Sequence, residues 1–198
     1  MQVTLDYLLM QPHINGGFLN GQTLYLKPAA RNNSVAEHDS LTLEDFDIIK
    51  MVGSGGFSKV FLCRFKKDGQ FYAMKVIDKE VIVKNKKKNI IMNERNIMRS
   101  SKHPFLIDLK FAFETDKSLI FVVEYCPGGE LFGLIKKYKR LSEDIARFYI
   151  IEIFLGLSYL HQNQVVYRDI KPENILLGQD GHVKIADLGL AKPDMFEG

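Results

Sequence analysis

Three strand-like runs open the ordered part of the chain, Phe46 to Val52, Lys59 to Arg64 and Gln70 to Ile77. A Gly-rich turn separates the first two, and Lys67-Asp68-Gly69 joins the second to the third as a hairpin, so the three are expected to form an antiparallel meander. From about Lys86 to Ser100 the strand pattern stops, and Ile90, Ile91, Glu94, Ile97 and Met98 recur at helical intervals ahead of His103-Pro104. That spacing predicts one helix packed on the sheet. Two more strands, about Leu109 to Glu114 and Leu119 to Glu124, bring the sheet to five.

After the turn Cys126-Pro127-Gly128-Gly129, a short helix is expected from about Leu131 to Tyr138, and Ser142 is a suitable N-cap for a long one reaching Gln162. Between Phe148 and Leu160 only Glu152, Gly156 and Ser158 interrupt the apolar and aromatic residues. A helix apolar all round is expected to be buried on all sides. Downstream, however, there are only strand-length segments, Asn174 to Leu177 and His182 to Ala186, joined by the turn Gln179-Asp180-Gly181. These can cover one flank, so the remaining cover is expected from helices outside this sequence or from a partner, and an apolar face left open would make the chain poorly soluble.

Residues 1–42 read differently and are taken as an N-terminal extension of unknown role, or the remnant of a preceding module. Asn15-Gly16-Gly17 and Asn20-Gly21 signal turns, one short strand is expected within Gly21 to Lys27, and a polar stretch follows from Ala30 to Ser40.

Composition narrows the class without naming it. A chain of 198 residues suits one large domain or most of one. The net charge of +3 is local, much of it in Lys84, Lys86, Lys87 and Lys88, which read as a solvated approach to a helix, so no nucleic-acid partner is expected. Cys63 and Cys126 offer neither metal-ligand spacing nor a disulfide framework, which fits a reducing compartment, the cytoplasm by default and otherwise the nucleus. Met1 to Met10 has no cationic start or long apolar run, so no signal peptide is expected, and no stretch approaches a membrane span.

Candidate chemistry lies at three places. Gly53-Ser54-Gly55-Gly56-Phe57-Ser58-Lys59-Val60 sits between the first two strands, where glycines let backbone N–H groups approach phosphates; by itself it is equally an ordinary turn. Ala73-Met74-Lys75 ends a strand, with Glu94 nineteen positions on; Lys75 is either a phosphate clamp oriented by Glu94 or a strand-edge lysine with its ammonium in water. The third is Tyr167-Arg168-Asp169-Ile170-Lys171-Pro172-Glu173-Asn174, followed thirteen residues after Asn174 by Asp187-Leu188-Gly189. An Asp to position a hydroxyl, an Asn to hold a metal and a second Asp to hold metal against phosphates are what transfer of a γ-phosphoryl group demands.

Taken in order with His103-Pro104-Phe105 and Glu124-Tyr125, these motifs resemble a eukaryotic protein kinase domain over about Leu43 to Gly198. Tyr167 ahead of Arg168-Asp169, Phe57 in the loop and Gly128-Gly129-Glu130-Leu131 resemble the AGC group of Ser/Thr kinases, as Lys171-Pro172-Glu173 resembles a Ser/Thr rather than a Tyr kinase loop. The fold implied is α+β and protein-kinase-like: a five-stranded antiparallel N-lobe sheet with one packed helix (about 43–124), a hinge (about 124–129) and the first part of a mainly helical C-lobe (about 130–198). The resemblance implies that Lys75 holds the α- and β-phosphates of ATP with Glu94 orienting it, that Asp169 positions the acceptor hydroxyl, that Lys171 steadies the γ-phosphate, and that Asn174 and Asp187 hold Mg²⁺. It further implies that Gly53, Ser54, Gly55, Gly56 and Phe57 cover the phosphates, that Val60, Ala73 and Leu176 enclose the adenine, and that the backbone of Glu124 and Cys126 bonds its edge. Glu130 and Glu173 match positions that face arginines before a phosphoacceptor, so protein substrates with basic residues before Ser or Thr are implied. Met98, Leu109, Tyr167 and Leu188 match the apolar residues stacked between the lobes of active kinases.

The sequence departs from the pattern at Ser58, in place of a third loop Gly, and at Leu188, in place of Phe; neither removes a charge. It also reaches Gly198 inside the activation segment, so a truncated domain is expected, with the alternative that the chain is a catalytically weak nucleotide-binding or partner-binding fragment.

Overall fold

The computed structural model describes residues 41–193 other than Phe57. The strand expected within Gly21 to Lys27 and most of the N-terminal extension lie outside the described residues. A turn of 3₁₀ helix, Leu43–Asp45, leads in, and Thr42 and Asp45 cap each other there in a capping box.

Five strands follow the expected order: β1 (Phe46–Ser54), β2 (Ser58–Phe65), β3 (Phe71–Asp78), β4 (Leu109–Glu114) and β5 (Ser118–Glu124), arranged β1-β2-β3-β5-β4 and antiparallel throughout. The β2–β3 turn closes because Asp68 Oδ1 accepts from the Gln70 backbone N–H at 2.8 Å, while Phe65 and Gln70 close the hairpin backbone at 2.9 Å.

The helix expected from about Lys86 to Ser100 is present, and a short one that the sequence did not suggest precedes it. A first helix, α1 (Lys79–Lys84), is nucleated by Asp78, whose Oδ1 accepts from Glu80 and Val81. The chain then breaks at Lys86, φ 52°, and α2 (Lys88–Ser100) begins. The sequence does not show α1, because its six residues are too few to establish a helical period. Along α2, Ile91, Glu94, Ile97 and Met98 are buried.

Alternation along the sheet builds two cores. Ile77, Leu109 and Phe121 join Ile91, Ile97 and Met98 of α2 in one cluster, while Phe46, Cys63, Phe65, Met74, Ile120 and Val122 form the other. In the second, Phe46 stacks on Phe65 with ring centroids 4.9 Å apart and Phe65 lies 5.0 Å from Phe111.

Beyond β5 come a two-residue strand β6 (Gly129–Glu130), α3 (Leu131–Tyr138), α4 (Glu143–Gln162), β7 (Val165–Val166), β8 (Ile175–Leu177), β9 (Val183–Ile185) and β10 (Lys192–Pro193). Strands β6, β8 and β9 form a small sheet, and β10 pairs antiparallel with β7. The α4 N-terminus falls where the sequence puts it, with Ser142 Oγ accepting from Ile145 N and Glu143 and Asp144 in the first turn.

α4 is not buried on all sides. Tyr149, Glu152, Gly156 and Leu160 face inward, whereas Ile150 and Phe154 are 63% and 66% exposed and Ile151 and Leu155 are exposed beside them. Two of the three residues that interrupt its apolar pattern, Glu152 and Gly156, belong to its buried face. A Cβ on Gly156 would stand 2.8 Å from Ile185 Cδ1 and 3.4 Å from the Phe105 carbonyl oxygen, so glycine lets α4 approach β9. Glu152 accepts from the Val183 backbone N–H at 2.9 Å and meets His182 Nδ1 at 2.5 Å, capping the start of β9. No helix among the described residues is long and apolar enough to cross a membrane.

Candidate active site

Lys75 lies on β3, and its ammonium meets Glu94 of α2 at 2.5 Å and Asp187 Oδ1 at 3.9 Å. One cation thus ties together three segments distant in sequence. Glu94 is buried, 4% exposed, so its carboxylate depends on Lys75 for compensation. Lys75 is not the water-facing strand-edge residue that its position alone would allow.

Asp187 sits at a left-handed backbone position, φ 52° and ψ 71°, directly before a 3₁₀ turn, Leu188–Leu190. The peptide ahead of it is held from two sides. Tyr167 Oη donates to the Ala186 carbonyl at 2.6 Å, and the Ala186 N–H donates to the Asn174 carbonyl at 2.8 Å. Non-glycine residues in this region cost of order 1–3 kcal/mol, which such bonds must offset. Arg168 is also left-handed, φ 65°, and its Nε donates to the Leu190 carbonyl at 2.7 Å.

Between those anchors runs the loop carrying Asp169, Lys171 and Asn174. Pro172–Asn174 is a 3₁₀ turn with the proline in its first positions, where the missing N–H costs nothing. Asp169 Oδ2 receives Lys171 Nζ at 2.8 Å and Asn174 Nδ2 at 2.8 Å, while Asn174 Nδ2 also bonds the Asp169 carbonyl at 2.9 Å. The Lys171 hydrogen bond holds the Asp169 carboxyl below its ordinary value, and the same bond raises Lys171. Both bonds fall on Oδ2, leaving Oδ1 of Asp169 for another donor. Asn174, which spends its amide nitrogen on Asp169, keeps its oxygen as an acceptor.

The remaining predicted residues lie in the stretch from β1 to β3, at or just after the end of β5, and on β6 and β8. Gly53 pairs in register with Val60 and Ser54 with Lys59, the Gly55 N–H donates to the Ser58 carbonyl at 2.8 Å, and an added Cβ on Gly56 would meet nothing. Phe57 lies outside the described residues. Val60 is opposite Lys75 across β2 and β3, and Ala73 opposite Leu62. Glu124 ends β5, Cys126 is buried in the turn after it with its thiol pushed up to about 12 by burial, and Leu176 pairs with Glu130. Glu130 and Glu173 are both exposed. Met98, Leu109, Tyr167 and Leu188 are buried in one cluster, as their matches imply.

Two groups with a bearing on the site are not legible as motifs. Glu152 reads as an interruption of an apolar helix, and Lys184 as a strand residue. Lys184 Nζ in fact meets Glu124 Oε2 at 2.9 Å.

A five-stranded sheet with one long helix behind it, a lysine–glutamate pair across them and an Asp…Asn…Asp set on a β-hairpin define a protein kinase domain. A family model described as a protein kinase domain matches residues 46–194, and the chain belongs to that family, in the AGC group of Ser/Thr kinases. It is 48% identical over 161 residues to a RAC-beta serine/threonine-protein kinase A of Xenopus laevis, covering 81% of this chain and 33% of that protein. It is 44% identical over 169 residues to the serine/threonine-protein kinase akt-1 of Caenorhabditis elegans (85% and 31%), and 48% identical over 149 residues to the serine/threonine-protein kinase Sgk2 of Mus musculus (75% and 41%). The chain therefore spans about a third of the length of the first two of these relatives and 41% of the third.

Proposed function

We propose that this protein transfers the γ-phosphoryl group of ATP to Ser or Thr hydroxyls of protein substrates that carry basic residues before the acceptor. The observation that carries the reading is Lys75, held between Glu94 and Asp187 at 2.5 and 3.9 Å. A fixed ammonium beside a carboxylate that is free to take a cation is an arrangement for a polyphosphate. Asn174 and Asp187 supply oxygen donors, the ligand type that Mg²⁺ prefers, and Mg²⁺ takes most of its remaining ligands from phosphates and water, so two protein oxygens suffice. When bound, Mg²⁺ neutralises charge on the phosphate oxygens.

In this reading Lys75 orients the α- and β-phosphates, and the 53–57 loop covers them with backbone N–H groups. Val60, Ala73 and Leu176 enclose the adenine, and the backbone of Glu124 and Cys126 bonds its edge. Asp169 Oδ1 accepts the hydrogen of the substrate hydroxyl and so aims its oxygen at phosphorus, while Lys171 steadies the group being transferred. Its lowered pKa keeps Asp169 ionised for that task at neutral pH. Glu130 and Glu173, exposed beside the loop, attract substrate arginines. The exposed face of α4 is a packing surface for further polypeptide, and a cytoplasmic or nuclear location fits a chain with two buried, unpaired cysteines. The relatives' names disfavour the alternative of a binding fragment with little transfer activity.

The test is transfer of labelled γ-phosphate to an Arg-containing Ser peptide. Asp169→Asn should reduce the rate by about 10²- to 10⁴-fold with the fold intact. Equal rates for wild type and variant would overturn the role given to Asp169.

A further inference from the structure

The Glu124–Cys126 backbone that faces the proposed adenine position is held at both ends by a single hairpin. At the far end, the Gly128 N–H donates to the Leu177 carbonyl of β8 at 3.0 Å, and a Cβ on Gly128 would stand 2.6 Å from Leu177 Cβ, so only glycine permits that approach. At the near end, Lys184 of β9 pairs with Glu124 Oε2 at 2.9 Å, and the pair is sheltered, with side chains 15% and 24% exposed. Leu176 and Lys184 are register partners, so the two attachments sit side by side on β8 and β9. Two residues past β9 the same strand reaches Asp187.

Glu124 has a second tie. Its Oε1 accepts from the Asp108 N–H at 2.8 Å, and its own N–H donates to the Asp108 carbonyl at 3.1 Å. The segment before Asp108 is itself bonded to β9, Ile107 N–H to the Ile185 carbonyl at 3.0 Å and Ile185 N–H to the Phe105 carbonyl at 2.8 Å. Both carboxylate oxygens of Glu124 are thus spent on elements joined to β9.

We infer that Lys184 is a positioning residue for nucleotide recognition: by fixing the Glu124 carboxylate it sets the backbone that reads the adenine edge and ties it to the strand that delivers Asp187. The inference rests on the nucleotide site proposed above. With Lys184 removed, the Glu124 side chain loses the cation paired with it in a sheltered place and turns toward water, and the backbone behind it is freed to shift.

The experiment measures dissociation constants of ATP, GTP and inorganic tripolyphosphate, each with Mg²⁺, for the full chain and for Lys184→Met, Lys184→Arg and Glu124→Gln. Lys184→Met should weaken ATP by about fivefold while GTP and tripolyphosphate stay within about twofold, so that base selectivity falls. Lys184→Arg, which keeps the charge, should restore it. Unchanged ATP affinity, or equal weakening of all three ligands, would overturn the inference. Should Lys184→Met fail to fold, Glu124→Gln, nearly isosteric, is read by the same two criteria. A wild-type chain that binds ATP no better than tripolyphosphate would instead overturn the nucleotide site, and the inference with it.

Discussion

In the five-stranded sheet the central strands are covered on both faces, by α2 on one and by the rings of Phe46, Phe65, Phe111 and Phe113 packing together on the other, while Ile48, Ile49, Met51 and Val52 of β1 and Phe71 of β3 are exposed. In the region from α4 to β10, one side of α4 is packed on β9 while Ile150, Ile151, Phe154 and Leu155 face outward, and the backbone is left-handed at Gln164, Arg168 and Asp187. Both regions bury apolar area, the second through Leu160, Val165, Ile175, Leu177, Val183 and Ile185, but the second adds directed polar contacts at its left-handed turns. Area tolerates small displacements; a hydrogen bond to a left-handed turn does not. The difference suits the proposed reaction, in which the sheet would offer a cover and one cation while the other region would hold Asp169, Asn174 and Asp187 in fixed relation.

If that contrast is right, truncating the buried sheet residue Met74 to Ala should have the largest effect on stability, about 2–5 kcal/mol in denaturant unfolding, because a side chain with no exposed surface leaves a cavity. Glu152→Ala comes next, at about 3 kcal/mol, since it strips the β9 start of its acceptor and leaves His182 without its carboxylate. A loss under 0.5 kcal/mol there would mean that the second region does not depend on polar anchors. Gly156→Ala should cost about 1–3 kcal/mol by wedging α4 off β9, read as a lower melting temperature.

A smaller effect is expected at Asp108. Burial pushes its carboxyl up, but Lys102 at 2.5 Å and Lys110 at 2.6 Å outweigh burial and hold it below its ordinary 3.8. A lowered folded value means that the ionised form adds stability above 3.8, lost as pH falls through the folded value. The melting-temperature gap between wild type and Asp108→Asn should therefore be open at about pH 6 and close in strong acid. A gap that widens on acidification would reverse the sign. Smallest of all, Phe154→Ser should change stability by under about 0.5 kcal/mol yet reduce binding of a hydrophobic dye, because the ring is already in water. A large destabilisation would show that the face is covered after all.

Most of the sheet was legible in sequence because each strand carries its own local pattern and turn chemistry, as at Lys67-Asp68-Gly69. The site motifs were legible as strings, Asp169 to Asn174 and Asp187 to Gly189, and the structure places Asp187 3.9 Å from Lys75. The short helix α1 was not, since six residues are too few to show a period. Glu152 was misread for a different reason. A polar residue on an apolar helix looks like an interruption until its partner, thirty residues on in a hairpin turn, is known. Lys184 and Glu124 are likewise joined across 60 positions, a distance at which no sequence periodicity speaks.

On the function proposed above, the two regions meet on one Mg·ATP, with Lys75 coming from the sheet and Asp187 from the segment after β9. Calorimetric titration of ATP, with and without Mg²⁺, into the full chain and into Lys75→Met and Asp187→Asn tests it most directly. Mg²⁺ should tighten ATP binding to wild type by about tenfold or more, Asp187→Asn should lose that gain, and Lys75→Met should bind more weakly whether or not Mg²⁺ is present. Either variant binding Mg·ATP as tightly as wild type would contradict the shared site.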